Sequence, residues 1–401
     1  MQITEVKDKK SVREFLRVPR IIYANDPYWV CTLDREIEST FDPGENVFFQ
    51  HGEAIRWVLK EPAGKLIGRV AAFINKNKAY TFQQPTGGMG FFECIDNKKA
   101  AFMLFNQCRS WLQERGMEAM DGPINFGEND VNWGLLVEGF MHPGIGMNYN
   151  PPYYRKFFED YGFKFYYEQV SNHLDLTQKF PERFWKIAEW VMKKPEFTFE
   201  HFSFAKADKY IRDMKEVYDD AWRFHENFTP LEERLLRKSL EKAKPFMDPE
   251  LIWFAYHKDE PIAFLINFPD VNQILKHLNG KMHLWNQLKF LWLKHRKVMT
   301  RTRIVIMGVK PKYQRYGIES GIFWHLDKVR HRNPHLTEME LSWVGDFNPK
   351  MRALHESVGA TFAKRHITYR CLFSESAEYQ RSTIIPVNTK EQAMKEASGT
   401  E

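Results

Sequence analysis

The residues with the clearest capacity for chemistry lie in one segment, Arg303 to Arg332. An apolar run from Ile304 to Val309 predicts a buried strand, a turn follows from Lys310 to Tyr316, and a helix begins at Gly317. The first N–H groups of such a helix have no acceptor within the helix, so they can hold a phosphate group. Most strand–helix turns of this kind bind nothing, and the sequence alone leaves both interpretations open.

The turn carries a more specific pattern. Its sequence from Val309 to Ile318, VKPKYQRYGI, resembles the acyl-CoA pyrophosphate loop of the GNAT superfamily of N-acyltransferases. That loop reads Gln/Arg-x-x-Gly-x-Gly/Ala after a strand that ends in Val, and Gln314 and Gly317 occupy its first two key positions. The resemblance implies that an acyl-CoA or acetyl-CoA donor is bound by Val309, Gln314, Arg315, Tyr316, Gly317 and Ile318.

Glu319 stands where the superfamily pattern has Gly or Ala. Its carboxylate could favour the positive end of the helix, substitute internally for a phosphate, or lie beside the loop without blocking it. The first two interpretations predict weak or absent coenzyme A binding, because a carboxylate crowds and repels a pyrophosphate. All three remain open at this point.

A second part of the same superfamily pattern extends from Asn348 to Ala360. The superfamily helix usually reads Asn-x-x-Ala-x-x-Leu-Tyr-Glu-x-x-Gly-Phe, and Leu354, Glu356 and Gly359 match it in register. His355 replaces the Tyr that commonly protonates the leaving thiolate. The resemblance therefore implies that His355 is the catalytic acid, and a histidine can supply a proton near neutral pH. The alternative is a partly exposed helix histidine without a catalytic role.

The two halves of the chain share an order of elements but little sequence. The resemblance covers roughly residues 198–373, and a helix similar to the closing helix recurs at Tyr153 to Phe163, with Phe158 at the Tyr position. No phosphate-loop pattern precedes the helix that begins at Asn97. We therefore predict an α+β chain of two GNAT-like domains in tandem, each a mixed β-sheet flanked by helices. The predicted parts are residues 1–177 without the phosphate loop, residues 178–373 with it, and a mobile tail at 374–401.

Polar residues between apolar strands of the first half are candidates for binding the acceptor. The segment from Gly122 to Trp133 is unusually polar for a loop, and Met147 to Tyr154 adds amides and aromatic hydroxyls. Because ligand sites favour domain interfaces, these segments could line a pocket between the halves. They could instead cap the backbone of their own loops. The substrate-binding candidates are Asn125, Glu128, Asn129, Tyr149 and Asn150.

The segment from Leu275 to Lys297 is an aromatic and basic insert in the second half. It could form a membrane-surface helix, or it could guide a phosphate-bearing donor such as coenzyme A or an aminoacyl-tRNA. The ordinary interpretation is a packed helix with a solvated basic face.

Composition restricts the class of protein. The chain has 401 residues, 43% of them hydrophobic and 15% aromatic, which suits two packed domains. The net charge of +6, from 58 basic and 52 acidic residues, is too mild for a dedicated DNA-binding protein. The four cysteines form no CxxC pair, and no secretory segment or apolar run of about 18 residues occurs. These features favour a cytoplasmic protein.

The patterns together predict an N-acyltransferase that moves an acyl group from acyl-CoA or a similar activated donor to a small-molecule amine. The GxSxG, Walker A, HExxH and GxGxxG patterns are absent, and no histidine lies near Glu128 and Asp130, so we propose no metal site. One alternative is a non-catalytic ligand-binding protein that keeps the GNAT fold, which Glu319 and Phe158 favour. Another is a transferase that resembles the Fem type, which also pairs two such domains and takes aminoacyl-tRNA.

Overall fold

A computed structural model describes residues 1–127, 131–223, 228 and 230–383 of this chain. The β-strands are β1 (Gln2–Glu5), β2 (Gly52–Lys60), β3 (Leu66–Asn75), β4 (Thr86–Cys94), β5 (Ala119–Gly122), β6 (Leu135–Glu138), β7 (Lys164–Asp175), β8 (Phe197–His201), β9 (Ile252–His257), β10 (Glu260–Pro269), β11 (Arg301–Val309), β12 (Glu338–Glu340), β13 (Val344–Gly345) and β14 (Thr361–Leu372). The α-helices are α1 (Lys9–Ile22), α2 (Asp34–Thr40), α3 (Lys76–Ala79), α4 (Lys98–Gln113), α5 (Tyr154–Tyr161), α6 (Glu182–Met192), α7 (Ala207–Trp222), α8 (Glu233–Ala243), α9 (Asn272–Leu275), α10 (Leu284–His295), α11 (Ile318–Arg332) and α12 (Pro349–Ser357).

Local capping signals explain where three of the helices begin. Asp8, Asn97 and Asn348 precede α1, α4 and α12, and the side chain of each accepts a hydrogen bond from an amide in the first turn. Among the described residues, no helix combines the length and the apolar character needed to cross a bilayer.

The chain divides into two compact units that are each discontinuous in sequence. Unit 1 comprises Met1–Gln169, Asn272–Arg296 and Lys364–Ser382, and unit 2 comprises Val170–Val271 and Lys297–Ala363. The aromatic and basic insert therefore belongs almost entirely to unit 1. The domain division inferred from the sequence, with boundaries at 177 and 373, stays a prediction.

The strands of unit 1 lie in the order β1-β2-β3-β4-β5-β14. All neighbours are antiparallel except β4 and β5, which are parallel. Successive side chains of β2 alternate between two packed faces. Leu59 joins the core formed with α4, whereas Val58 joins the cluster formed with α1. The sheet of unit 1 is therefore mixed and is covered by helices on both faces.

Unit 2 repeats this plan with the strand order β8-β9-β10-β11-β12-β7. Its one parallel pair is β11 with β12, and its other neighbours are antiparallel. Leu265 of β10 packs in a core with α6 and α11, and Phe264 packs in a second cluster with α7. The predicted α+β class, with mixed sheets flanked by helices, is thus confirmed.

Strand β14 lies mainly in a different unit from the one that the sequence predicts. Residues 361–373 fall in the second predicted part, 178–373, yet the residues from Lys364 onward belong to unit 1, where Tyr369 lies opposite Gly122 of β5. In unit 2 the corresponding position, next to β12, is filled by β7, in which Leu174 lies opposite Met339. Alternation of apolar residues identifies a strand but does not identify its partner, because pairing depends on tertiary context.

Part of the predicted mobile tail is packed on unit 1. The amide of Ser382 donates to the carbonyl of Tyr166 at 3.2 Å, and the guanidinium of Arg381 lies 5.3 Å from the ring centre of Phe165. The rest of the predicted tail, 384–401, lies outside the described residues.

Candidate functional site

The site in unit 2 is built where its parallel strand pair separates. β12 pairs with β11 only from Arg301 to Arg303, whereas β10 pairs with β11 as far as Val309. One extra residue of β11 lies between Ile304 and Ile306, and such a bulge bends the strand that carries it. The last part of β11 therefore lies beyond the ladder with its parallel neighbour and leads directly into the turn before α11.

Some of the main-chain donors at this turn have an internal acceptor and others do not. The turn satisfies three of its amides by itself, those of Tyr313, Gln314 and Tyr316. Within the described part of the chain, no carbonyl or side chain accepts a hydrogen bond from the amides of Arg315, Gly317 and Ile318. Unpaired donors at the start of a 15-residue helix form a site that attracts an anion.

Gly317 gives the turn its shape. Its φ of 68° lies in the left-handed region, which glycine adopts without steric cost. A Cβ at this position would lie 2.4 Å from Cγ2 of Ile187 on α6 and 3.7 Å from Cγ2 of Val191. The close approach of α6 and the left-handed turn both require glycine here, so the match to the superfamily loop has a structural cause in this chain.

The side chain of Gln314 holds the turn rather than pointing away from it. Its Nε2 donates to the carbonyl of Val309 at 3.1 Å, and its Oε1 accepts from Nζ of Lys350 at 3.4 Å. Lys350 is half-buried in the first turn of α12, and burial together with the charge of Arg315 lowers its pKa. Two cationic side chains therefore lie near the unpaired amides and repel each other, and a bound anion would relieve that repulsion.

The remaining residues of the predicted loop differ in accessibility. Arg315 and Tyr316 are exposed, with 45% of Tyr316 accessible to solvent. The side chain of Ile318 is fully buried in the core with α6, so it can contribute only its amide to a ligand.

Glu319 follows in the first turn of α11. It is half-buried, and its Oε2 is a buried atom without a hydrogen-bond partner. Burial raises the pKa of this carboxyl group, although its own backbone amide partly opposes the shift. The carboxylate thus lies at the positive helix end but is poorly compensated there, which disfavours its charged form.

His355 is buried on α12, with only 4% of its surface exposed. The alternative of a partly exposed histidine is therefore wrong. Its Nδ1 lies 3.0 Å from Nδ2 of Asn172 on β7, so Nδ1 accepts this hydrogen bond and the proton of the neutral ring is on Nε2. Burial lowers the pKa of His355 to about 4.

Lys350 and Asn172 are two site residues that the superfamily pattern does not specify. Lys350 occupies an unspecified position of the superfamily helix, and Asn172 lies in a strand far from the loop in sequence. A basic residue in the first turn of the helix after Asn348 was a visible signal, because helix starts more often carry acidic residues. Nothing in the sequence indicates that Asn172 faces His355.

The acceptor candidates lie in unit 1 and are engaged in different ways. Asn150 is buried, and its amide donates to the carbonyls of Leu136 and Pro151 while its Oδ1 accepts from the amide of Leu136. The hydroxyl of Tyr149 donates to Asp26, whereas Oδ1 of Asn125 is buried without a partner. Asn150 thus supports its own loop, and a direct role in binding an acceptor stays a prediction for all three candidates.

Two other acceptor candidates, Glu128 and Asn129, lie outside the described residues. Among the residues that the structure does describe, no group of three or more His, Cys, Asp and Glu side chains could hold a metal ion.

The helix start in unit 1 that corresponds to α11 has a different environment. Three residues, 95–97, connect β4 to α4, and Oδ1 of Asn97 accepts from the amide of Ala100 at 3.1 Å. A side chain of the protein therefore caps this helix start, unlike that of α11. Phe158, at the Tyr position of α5, is fully buried and has no proton to donate.

Unit 1 contains a half-buried carboxylate, Glu93, that no sequence pattern indicates. Oε2 of Glu93 accepts from the hydroxyls of Tyr23 at 2.6 Å and Tyr154 at 3.0 Å, and Oε1 lies 3.7 Å from the guanidinium of Arg69. Burial raises the pKa of Glu93 against the opposing effect of Arg69. These partners account for the carboxylate as part of a closed polar network within unit 1.

The sequence of this chain is similar to those of two curated bacterial proteins. No protein-family model matches the chain. The chain is 28% identical over 381 residues to a protein of Caulobacter vibrioides (strain NA1000 / CB15N) named bacterial ceramide synthase, a match that covers 92% of this chain and 97% of that protein. It is 26% identical over 374 residues to protein YghO of Escherichia coli (strain K12), with coverage of 90% and 93%.

A solved tandem GNAT protein from the clavulanic acid biosynthesis pathway has a similar fold. The TM-score is 0.55 at 10% identity, and the match covers 94% of this chain and 99% of that one. At this identity the likeness concerns the fold alone, and it agrees with the two mixed sheets and the separated parallel strands described above. The chain therefore has the GNAT fold, with two GNAT-like units in tandem.

Proposed function

We propose that the chain is an N-acyltransferase that takes an acyl group from acyl-CoA, or a similarly activated donor, and joins it to an amine. The observation that carries the proposal is the set of unpaired amides at Arg315, Gly317 and Ile318, beside the cationic Lys350. A phosphate-bearing donor is the natural ligand for such a helix start.

The residues of this turn fit the phosphate part of coenzyme A in most respects. The unpaired amides and the charges of Arg315 and Lys350 favour an anion, and Gly317 keeps the backbone open to close approach. Glu319 opposes binding in its charged form, but burial already favours its neutral form. An acyl-CoA, when bound, supplies a thioester carbonyl that an amine can attack.

His355 is proposed to act at the sulfur side of the reaction, but not as an imidazolium acid. With a pKa of about 4, roughly one ring in a thousand is protonated at pH 7. The neutral ring keeps its proton on Nε2 because Asn172 engages Nδ1. We therefore propose that Nε2–H donates a hydrogen bond that stabilises charge on the leaving sulfur. Overall, a C–N bond forms and a C–S bond breaks. The proton that the amine loses is taken up by the leaving sulfur, which is released as a thiol.

The name of the Caulobacter relative suggests the kind of acceptor. A ceramide is the amide of a fatty acid with a long-chain amino alcohol, so its synthesis is an N-acyl transfer to a lipid amine. The match extends over 92% of this chain, including both units. We propose a long-chain amine as the acceptor, and the acceptor residues Asn125 and Tyr149 remain candidates for its recognition.

The test has a binding arm and a product arm. Calorimetry should show binding of acetyl-CoA or a long-chain acyl-CoA to the full chain, and binding to the Lys350→Gln variant should be weaker. Lys186→Gln, which changes an exposed lysine of α6 in the same unit, serves as the matched control. Mass spectrometry should then detect the amide after incubation with the donor and a long-chain amino alcohol. The donor site at this turn would be excluded if wild type did not bind the donor, or if Lys350→Gln bound it as tightly as Lys186→Gln.

A second candidate function is ligand binding without transfer. The buried, unpartnered Oε2 of Glu319 favours it, because this atom lies at the helix start where a donor phosphate would bind. In that case amines alone should raise the melting temperature, whereas acyl-CoA should not. Amide formation under any condition would exclude this alternative.

A further inference from the structure

Helix α10 of unit 1 has two apolar faces, and only one of them is packed. Phe290 and Leu293 are buried, with 5% and 8% of their surfaces exposed. Five other apolar side chains of the helix are at least half exposed: Leu284 at 67%, Trp285 at 76%, Leu288 at 50%, Leu291 at 60% and Trp292 at 59%. The interpretation as an ordinary packed helix therefore accounts for only the smaller face.

The exposed side chains form a continuous stripe. With 3.6 residues per turn, residues 284, 285, 288, 291 and 292 project within an arc of about 120°. Single exposed apolar residues are common on protein surfaces, but a contiguous patch with two tryptophans marks an interaction site. We call this stripe the apolar face of α10.

The charge around the apolar face has a single sign. From Val271 to Lys297 there is no Asp or Glu, and the six basic residues are Lys276, Lys281, Lys289, Lys294, Arg296 and Lys297. All six are exposed. Their number equals the net charge of the whole chain, +6, so the rest of the molecule is balanced and the excess is concentrated here.

We propose that α10 is an interfacial helix that lies in the surface of a bilayer containing anionic phospholipids. Its apolar face would enter the boundary between headgroups and acyl chains, while Lys289 and Lys294, on either side of that face, would contact the headgroups. A helix face of tryptophan and leucine, with lysines on the polar face, is typical of helices that lie in the membrane plane. Each basic residue near such a surface adds to the attraction.

Charge disfavours a second copy of the chain as the occupant of this face. In a two-fold dimer the same patch meets itself, so six positive charges would lie against six. The proposal depends only on the exposure and charge of α10, and it stands whether or not the chain is a transferase. If the chain is also a transferase for a long-chain amine, the helix brings the enzyme to the membrane that contains this substrate.

The test is co-sedimentation of the full chain with lipid vesicles. Wild type should sediment with vesicles of phosphatidylcholine mixed with phosphatidylglycerol, and less with phosphatidylcholine alone, and added salt should release it. Trp285→Ser/Trp292→Ser should weaken binding at least about tenfold. Lys289→Gln/Lys294→Gln should weaken binding to the anionic vesicles about tenfold or more. Tyr80→Ser, which removes an aromatic side chain of unit 1 that is 61% exposed, should bind as wild type does.

Because the mutated side chains are exposed, the variants should fold, which circular dichroism and melting temperature will verify. Wild type that stays in the supernatant, or a tryptophan variant that binds as well as wild type, would overturn the proposal. Equal binding to neutral and anionic vesicles would overturn its electrostatic part. A tryptophan variant that dissociates an oligomer in light scattering, with no vesicle binding by wild type, would instead identify the face as a protein interface.

Discussion

Replacing Gly317 with alanine tests how the turn before α11 is fixed. At a φ of 68°, a residue other than glycine costs about 1–2 kcal/mol. The added Cβ would lie 2.4 Å from Cγ2 of Ile187, and overpacking of this kind costs about 1–3 kcal/mol. We therefore expect Gly317→Ala to lower the free energy of unfolding by about 2–5 kcal/mol.

Two comparison variants separate the contributions. Gly64→Ala in unit 1 has a φ of 84° and no atom within 4 Å of the added Cβ, so it should cost only the backbone part, about 1–2 kcal/mol. Gly317→Ala/Ile187→Ala removes the overlap, and the double-mutant cycle should show a favourable coupling of about 1–3 kcal/mol. Urea unfolding followed by circular dichroism measures each free energy.

The same variant has a functional readout. If the left-handed turn directs the amides of Arg315 and Ile318 to a donor, Gly317→Ala should weaken acyl-CoA binding even when Ile187→Ala has restored stability. Equal destabilisation by Gly317→Ala and Gly64→Ala, or a coupling to Ile187 near zero, would refute the packing argument. Unchanged donor affinity in a folded variant would refute the role of the turn.

Three further predictions concern His355, its partner Asn172, and Lys350. The folded pKa of His355, about 4, lies below the ordinary 6.5, so wild type should lose stability as the pH falls from 6.5 to 4. This group accounts for a loss of about 3 kcal/mol in the free energy of unfolding. The His355→Gln variant should lose correspondingly less, as measured by urea unfolding at each pH. Asn172→Ala should lower kcat with little change in KM, because Nδ1 loses the partner that places the proton on Nε2; an unchanged kcat would exclude this. Lys350→Gln should weaken acyl-CoA binding about tenfold in calorimetry, an effect that a screened surface charge would not produce.

The features that the sequence predicts well are local ones. The apolar run that ends at Val309 and the helix after Gly317 are observed as β11 and α11, because apolar runs, turn residues and helix periodicity all act over a few residues. The match of Gly317 to a superfamily pattern reflects a backbone conformation that side-chain-bearing residues disfavour. Such positions are visible in a sequence because one residue type is required.

The features that escaped prediction depend on distant parts of the chain. The carbonyl and carboxamide groups that fix Lys350 and His355 come from Gln314 and Asn172, 36 and 183 residues away. The same cause explains why the membership of β14 in unit 1 was not foreseen. For α10, the sequence shows apolar residues around much of the helix, but only the structure shows that the face with Phe290 is packed and the face with Trp285 is exposed.

Glu319 decides between the two candidate functions, and its substitution gives the sharpest test. Loss of a carboxylate from the first turn of a helix costs about 0.3–1 kcal/mol, whereas removal of its charge, which burial disfavours and no donor to Oε2 compensates, returns about 1–3 kcal/mol. Glu319→Gln should therefore be at least as stable as wild type at neutral pH. The folded pKa of Glu319 is raised above its unfolded value, so the protonated carboxyl group favours the folded state. This contribution is complete below the unfolded pKa and is lost as the pH rises through the folded pKa. The stability advantage of Glu319→Gln over wild type should therefore grow with pH.

The same substitution should change donor binding in a defined direction. If the turn binds acyl-CoA and Glu319 only weakens it, Glu319→Gln should bind at least about tenfold tighter, a gain of about 1.4 kcal/mol. Wild-type affinity should approach that of the variant as the pH is lowered, since protonation removes the same charge. If the turn does not bind a donor at all, neither the variant nor low pH will produce donor binding. That result would leave the tandem fold intact and would make ligand binding without transfer the better assignment.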